Sequence, residues 1–129
     1  MPVFNAYIPA ARFSPQQKQA LGSGLPGALH EALRIPREDQ FVIIPEQPAD
    51  SLFVDPSYMG MSRSENAVII TVLFTAERAL SDKRAIVRAM CDKTVSALGI
   101  SADDVFIALI PVPKENFSFG RGDLQLAQG

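Results

Sequence analysis

The chain has few of the residues that stabilise small domains by cross-linking or by binding metal. Its 129 residues include one cysteine, Cys91, one histidine, His30, and no tryptophan. A single cysteine cannot form an internal disulfide, and with one histidine it cannot supply a metal-ligand cluster. We therefore expect an apolar core to stabilise the fold without metal or other cofactor. Such cysteine usage also favours a reducing, cytoplasmic location.

Long apolar runs and an excess of one charge are also lacking. No apolar run approaches the ~18 residues that a membrane span requires. The 12 basic and 14 acidic residues are interspersed and give a net charge of −2. This pattern predicts neither a membrane nor a nucleic acid as partner. With 47% hydrophobic residues, the sequence predicts one globular domain whose partners are small molecules or proteins.

An internal repeat is the most informative feature that the sequence does contain. Shifted by 65 residues, LRIPREDQFVII (33–44) aligns with LGISADDVFIAL (98–109). The identical positions in this alignment are Leu33/Leu98, Ile35/Ile100, Asp39/Asp104 and Phe41/Phe106. A repeat of this kind predicts a single duplicated domain with halves at 2–46 and 67–112, followed by a C-terminal arm at 113–129.

Each half shows the pattern strand, helix, strand. VFNAYI near the start and AVIITVLF (67–74) are apolar and rich in β-branched or aromatic residues, as buried strands are. Second strands are expected near 40–44 and 105–110. Two such β-α-β units predict an α+β fold in which a four-stranded sheet carries two helices on one face.

The helix limits follow from local signals. SPQQ at 14–17 predicts a capping box with proline at the first helical position. Ser81 is the expected cap of the second helix, and Gly99 its expected C-terminal stop. Pro26 is expected to kink the first helix, because it lacks a backbone N–H. The tail is expected to form a short hairpin or arm.

The repeat also predicts which residues meet. If the first strands of the two halves pair antiparallel, the start of each strand lies beside the end of the other. Pro2 then approaches Arg78, and Arg12 approaches Ala67 by the same symmetry. Only the first pair combines an arginine with a residue that can carry a free secondary amine.

Several segments, in order and spacing, resemble the tautomerase superfamily, particularly its long-chain members that are similar to malonate semialdehyde decarboxylase and 4-oxalocrotonate tautomerase. These segments are MPVF, RFSPQQK, IPREDQF, DPSYMGMSRSENAVIITV, ERALSDK, GISADDVFIAL and ENFSFGRG. The resemblance spans nearly the whole chain. It implies a tautomerase-like fold assembled as a homotrimer, with an amino-terminal proline as the catalytic residue. It also implies that Asp39 positions or activates water and that Phe117 lines the pocket.

The chemistry of these residues fits that implication. Once Met1 is removed, Pro2 carries a secondary amine whose pKa a nearby arginine and apolar burial are expected to lower towards neutrality. Such an amine can move a proton between carbon and oxygen, as keto–enol tautomerisation requires. Arg78 can hold the carboxylate of a small substrate, while Phe117 and Phe119 keep water out.

Alternative functions stay open. Relatives that decarboxylate carry two arginines after the third strand, whereas TAER here supplies only Arg78. This departure ranks decarboxylase-like or hydratase-like activity below tautomerisation. Dehalogenase-like activity is the third choice, because His30 is not in register with the histidine that dehalogenating relatives carry in the first helix. Asp39 and Asp104 are also explained as loop-forming carboxylates, and Phe117 and Phe119 as packing residues. A catalytically silent trimer that binds or scaffolds is the alternative of another class.

Overall fold

The computed structural model describes residues 2–75 and 78–129. The chain order is β1 (Val3–Pro9), α1 (Pro15–Leu33), β2 (Val42–Ile43), β3 (Glu46–Gln47), β4 (Val68–Thr75), α2 (Leu80–Leu98) and β5 (Val105–Val112). The predicted α+β fold is confirmed, because each half contains a strand, a helix and a parallel return to the sheet. Met1, Ala76 and Glu77, which enter the sequence predictions, lie outside the described residues.

The sheet has the strand order β2-β1-β4-β5, and β3 also pairs with β1. The two first strands, β1 and β4, are antiparallel, with Val3 opposite Leu73 and Tyr7 opposite Ile69. In each half the return strand is parallel to the first strand. The antiparallel pairing predicted from the repeat is therefore confirmed, and it places the start of β1 beside the end of β4.

The return strand of the first half differs from the prediction of a single strand near 40–44. It is divided into β2, which pairs with Phe4 and Asn5, and β3, which pairs with Ile8 and Pro9. Pro45 lies between β2 and β3 and has no N–H to donate to a ladder. Its carbonyl still accepts a hydrogen bond from Ile8 N at 3.0 Å. The sheet consequently has five strands rather than the predicted four.

The core lies between one face of the sheet and the two helices. Along β1 and β4 alternate side chains are buried, including Phe4, Ile8, Ile70 and Val72. Buried side chains of both helices join the same cluster, among them Leu21, Leu25, Leu29, Ile86 and Met90. On the opposite face Tyr7, Phe106 and Ile110 are 37%, 49% and 40% exposed. Both helices therefore cover one face, as predicted, and within the described ranges neither is long and apolar enough to cross a membrane.

The structure confirms two of the three predicted helix limits. Ser14 accepts from Gln17 N in a full capping box, and Gly99 ends α2 in the left-handed conformation with φ of 66°. Pro26 lies within one continuous α1. The prediction for Ser81 is wrong, since Ala79 occupies the cap position and Lys83 N donates to its carbonyl at 3.1 Å. Ser81 lies two positions after the cap and is therefore inside the first turn of the helix.

The C-terminal segment is an arm and not a hairpin. Residues 113–129 contain a short 3-10 turn at Lys114–Asn116 and no strand. Gly120, Arg121 and Gly122 have φ angles of 139°, 64° and 73°. Three successive positive φ angles turn the chain too sharply for extended pairing, and glycine makes two of them sterically easy.

Candidate active site

Pro2 lies at the start of β1, directly before Val3, and its side chain is fully buried. Val3 pairs with Leu73, so Pro2 lies level with Phe74, at the end of the β1–β4 ladder where β4 ends. We call this the Pro2 edge. Proline is compatible with this place because it precedes the ladder instead of interrupting it.

Arg78 reaches the same edge from the other strand. It follows the last residue of β4, Thr75, by three positions and precedes α2. Its Nε is buried, and among the described residues it has no hydrogen-bond partner. A buried donor left without an acceptor costs about 1–3 kcal/mol, and more when the group is charged. An acceptor from a ligand would satisfy this donor, and a carboxylate matches the guanidinium in charge and geometry.

Asp39 lies in the loop that leads from α1 into β2. The parallel register pairs Phe4 with Val42, so two steps back along both strands bring Pro2 level with Gln40, the neighbour of Asp39. The Asp39 N–H donates to Pro36 O at 3.1 Å. Within the described part of the chain its half-buried carboxylate has no hydrogen bond or ion pair. The carboxylate therefore remains available at the Pro2 edge.

Three phenylalanines form a cluster at this edge. The rings of Phe117 and Phe119 are stacked with centroids 5.8 Å apart, and Phe119 lies 6.5 Å from Phe41. Phe41 is tied to the start of β1, because its carbonyl accepts from Phe4 N at 2.8 Å. The arm therefore brings both predicted aromatic residues to the Pro2 edge. Phe41 was missed as a candidate, although its match to Phe106 in the repeat had marked the position.

Gln125 fixes the part of the arm that carries Phe119. Its Oε1 accepts from Phe119 N at 3.0 Å, and its Nε2 donates to Gly120 O at 3.0 Å. One side chain thus closes the turn on both sides. No sequence signal indicated this role, because it depends on the positive φ angles of the turn.

The opposite end of the β1–β4 ladder carries the equivalent residues of the repeat, but there the polar side chains are paired with other residues. We call it the Ala67 edge, since Ala67 precedes β4 as Pro2 precedes β1. Arg12 forms an ion pair with Glu65 and donates to Asn66 Oδ1 at 3.2 Å. Asp104, which is 3% exposed, accepts from Ser64 N at 2.6 Å and from Ser64 Oγ at 2.8 Å. Both polar residues at this edge are therefore paired.

Other reactive residues lie away from these edges. Burial, and next the charge of Asp92, raises the pKa of the Cys91 thiol, while Arg88 acts in the opposite direction. A thiol that stays protonated is a poor nucleophile. His30 Nδ1 lies 3.1 Å from Ile35 O, so the ring is tied to its own loop. The described residues contain no group of histidine, cysteine and carboxylate side chains that could hold a metal ion.

Cavity size does not single out the Pro2 edge. A cavity of about 530 Å³ lies between α2 and β5 and is lined by Arg84, Arg88 and apolar residues. It contains no base and no unpaired buried donor. We therefore locate the candidate site by its polar groups, Pro2, Arg78 and Asp39, and by the aromatic cluster beside them.

Comparison with known proteins identifies the family of the chain. The model of the family described as "Tautomerase enzyme" matches residues 39–120, and a second family model of the same description matches residues 2–61. The chain therefore belongs to the tautomerase family and is a tautomerase-family enzyme. The family resemblance read from the sequence is confirmed.

Particular relatives agree with this assignment. The chain is 27% identical to the probable tautomerase YusQ of Bacillus subtilis (strain 168), over 99% of this chain and 100% of that protein. It is 28% identical to a malonate semialdehyde decarboxylase whose structure was solved after inhibition by 3-bromopropiolate, with a TM-score of 0.86 and coverage of 95% and 92% of the two chains. A fused 4-OT described as a symmetric trimer shares the fold, with 23% identity, a TM-score of 0.78 and 93% of each chain covered.

Proposed function

We propose that the amine of Pro2, exposed by removal of Met1, acts as general base and acid on a small 2-oxo acid or its enol. The observation that supports this most strongly is the buried Arg78 Nε, which has no partner in the described residues. Arg78 follows the end of β4, and Pro2 directly precedes β1 at the same edge. The corresponding arginine at the Ala67 edge is paired.

Binding is the first step of the proposed mechanism. The Arg78 guanidinium receives the substrate carboxylate through two parallel N–H···O bonds, one of them from Nε. This contact neutralises the charge of the substrate and satisfies the buried donor. It also orients the adjacent carbonyl towards Pro2, so the reacting atoms start from a defined geometry.

Proton transfer follows at Pro2. The neutral amine removes a proton from the carbon beside the carbonyl, and the electron pair of that C–H bond moves to form the enolate. The resulting ammonium then donates the same proton to the enolate oxygen, which gives the enol and regenerates the base. Ketonisation is the reverse of these steps. The position of Arg78 at the same edge supports this role, because a neighbouring cation disfavours the charged ammonium and so favours the free base.

The remaining residues have supporting roles in the proposal. Phe117 and Phe119, together with Phe41, cover the edge and restrict water, which strengthens the attraction between Arg78 and the developing enolate. Asp39 supplies a carboxylate that can orient water or a substrate hydroxyl. The proposed mechanism uses neither a metal ion nor an organic cofactor.

A decarboxylase-like or hydratase-like activity is the second candidate. The similarity to a malonate semialdehyde decarboxylase over most of both chains favours it, as does the unpaired Asp39 carboxylate. Decarboxylation of a 3-oxo acid leaves an enolate whose charge a cation near the carbonyl must stabilise. The segment TAER offers Arg78 as its one cation, so we rank this activity below tautomerisation.

One experiment compares the two candidates directly. With enzyme whose intact mass confirms the loss of Met1, loss of enol absorbance from phenylenolpyruvate and release of carbon dioxide from malonate semialdehyde are followed in parallel. We expect ketonisation to have the higher kcat/KM. Efficient decarboxylation with negligible ketonisation would reverse the ranking, and inactivity towards both by protein that lacks Met1 would favour the silent binding protein.

We also propose that three chains assemble about a threefold axis. The helix-free face exposes large apolar side chains, and β5 pairs with β4 on one side only. Phe53, in the connector, is 84% exposed. Such surfaces need a partner to remove them from water. Light scattering at micromolar concentration tests the assembly, and a monomeric mass would contradict it.

A further inference from the structure

A cavity lies between α2 and β5, and none of its lining residues belongs to the Pro2 edge or the Ala67 edge. Its volume of about 530 Å³ is in the range of pockets that hold small organic molecules, about 300–1,000 Å³. The α2 residues of its lining are spaced by three, one and three positions, which places them on one face of the helix. The lining residues are Arg84, Val87, Arg88 and Cys91 from α2 and Val105 and Ile107 from β5.

The cavity lies on the side of the sheet that carries the helices. Successive side chains of a strand point to opposite faces, so Val105 and Ile107 point away from the face on which Phe106 is 49% exposed. Both also pack against the core beneath the helices. An assembly that buries the helix-free face therefore does not by itself cover this cavity.

Two positive charges line the cavity without a partner in the described residues. Neither Arg84 nor Arg88 forms an ion pair or a side-chain hydrogen bond there, and no acidic side chain of that part of the chain lines the cavity. Lys93, further along α2, is by contrast paired with Glu31 at 2.9 Å. Because like charges one helical turn apart repel each other, an anion placed between the two guanidinium groups is stabilised by both.

Asp92 is the internal carboxylate that could compete for this position. It lies four positions after Arg88, but it lines a different cavity, between the two helices. Over the described ranges it forms no ion pair with Arg88. The residues three and four positions from Arg84 are not acidic, so the first guanidinium has no carboxylate on its own helix face.

We propose that the cavity between α2 and β5 is a second binding site, for a small organic dianion whose two carboxylates are joined by an apolar body. Each guanidinium binds one carboxylate through parallel N–H···O bonds, while Val87, Val105 and Ile107 contact the apolar body. Cβ atoms one turn apart on a helix are about 5–6 Å from each other, and the two carboxylates of a meta-substituted benzene ring are spaced similarly. The lining residues include no base, so the dianion is bound there and not converted.

Cys91 provides a local measure of occupancy. It is the single cysteine of the chain and lines the cavity, so alkylation by iodoacetamide reports access to this site alone. The thiolate is the form that reacts, and burial raises the pKa of the Cys91 thiol, so the rate is measured at alkaline pH. Comparing rates with and without ligand in the same variant removes any effect of a substitution on the pKa of the thiol.

The probe is isophthalate, and benzoate is the control ligand with the same ring and one carboxylate fewer. We expect saturating isophthalate to slow alkylation about fivefold or more, and benzoate to bind about tenfold or more weakly, because it makes one charge-assisted pair fewer. Arg84→Ala or Arg88→Ala alone should lower the affinity for isophthalate to that for benzoate, and the two together should abolish protection. Lys93→Ala removes a positive charge from another face of α2, so it is the matched control and should keep the protection.

Three results overturn the proposal: no protection in the unaltered, assembled protein, equal affinity for the two acids, or protection that persists when both arginines are replaced. The first includes the case in which a neighbouring chain already fills the cavity. The thermal midpoint of each variant verifies the fold, and Arg84→Gln with Arg88→Gln serves if the alanine variant does not fold. Arg78→Ala should leave the protection unchanged, so the readout does not depend on the proposed chemistry at Pro2, whose failure appears separately as absent turnover in the unaltered enzyme.

Discussion

The two ends of the β1–β4 ladder carry equivalent residues of the repeat, but their polar side chains differ in whether they have hydrogen-bond or ion-pair partners among the described residues. At the Ala67 edge Arg12 is paired with Glu65, and Asp104 is buried against Ser64. At the Pro2 edge Arg78 has a buried Nε without a partner, and the Asp39 carboxylate is unpaired within the described residues. A polar group that the fold leaves unsatisfied is costly. Within the described residues such a group is present at the Pro2 edge and not at the Ala67 edge, and this difference is the basis on which we propose a ligand site at the Pro2 edge.

The two edges, although they come from one duplicated pattern, therefore differ in what their polar residues contact. The residue types at the two edges are similar, so composition does not explain the difference. The difference is explained by the connector between the halves, because it supplies Ser64 and Glu65 as partners at the Ala67 edge. In the described residues the Pro2 edge receives aromatic rings from the C-terminal arm instead.

Replacing Pro2 with alanine should have the largest effect. The secondary amine becomes a primary amine at the start of the chain, and a correctly positioned acid–base group contributes about 10²–10⁴-fold to rate. We expect kcat for phenylenolpyruvate to fall within that range, whereas the free energy of unfolding should fall by only about 1–2 kcal/mol, because the ring loses about two buried methylene groups. Ala67→Gly at the other edge is the matched control and should leave kcat unchanged. Full activity of Pro2→Ala would end the proposed mechanism.

Replacing Arg78 with alanine should have the next largest effect. Loss of a charged hydrogen bond to the substrate carboxylate costs about 1.5–3 kcal/mol, which lowers kcat/KM by roughly 10- to 150-fold. Arg78→Lys restores the charge without the Nε donor and should recover only part of this loss. Arg12→Ala should leave kcat/KM unchanged, because Arg12 binds Glu65. Equal losses in the two alanine variants would contradict the functional difference between the edges.

The paired aspartates should separate stability from activity. Asp104→Ala removes a buried acceptor and leaves Ser64 N and Oγ unpaired, so we expect the free energy of unfolding to fall by about 2 kcal/mol. Asp39→Ala removes a carboxylate without described partners and should change it by less than about 0.5 kcal/mol. Denaturant titration measures both. If Asp39→Ala is as destabilising as Asp104→Ala, Asp39 is a structural residue and the open-site interpretation of the Pro2 edge is wrong.

Much of this architecture could be predicted from the sequence because it depends on periodic signals. The repeat and the apolar runs were sufficient for two β-α-β units, the antiparallel β1–β4 pair and the opposite placement of Arg12 and Arg78. Capping at Ser14 and the stop at Gly99 were also correct. These features are encoded within a few residues of where they act.

The features that could not be predicted depend on distant partners. Asp39 and Asp104 align in the repeat, yet among the residues that the structure describes only the Asp104 carboxylate has a partner. That partner, Ser64, lies 40 residues before it in an irregular segment. The division of the first return strand follows from Pro45, which lies between β2 and β3 and has no N–H to donate to the ladder. The repeat in the sequence identifies equivalent positions such as Asp39 and Asp104. Which of the two is paired depends on contacts with residues distant in the sequence.

The smallest predicted effect concerns the arm that distinguishes the Pro2 edge. Gln125 binds Phe119 N and Gly120 O, so Gln125→Ala loosens the turn that holds Phe119 near Phe41. A less ordered aromatic cover should raise KM for phenylenolpyruvate by about two- to fivefold, the loss of roughly one neutral hydrogen bond, with little change in kcat. Gln125→Glu keeps the acceptor for Phe119 N but loses the donor to Gly120 O, so it should give an intermediate KM. Gln16→Ala, on the exposed start of α1, is the control. A fall in kcat at constant KM would place Gln125 in the chemistry itself and not in the support of Phe119.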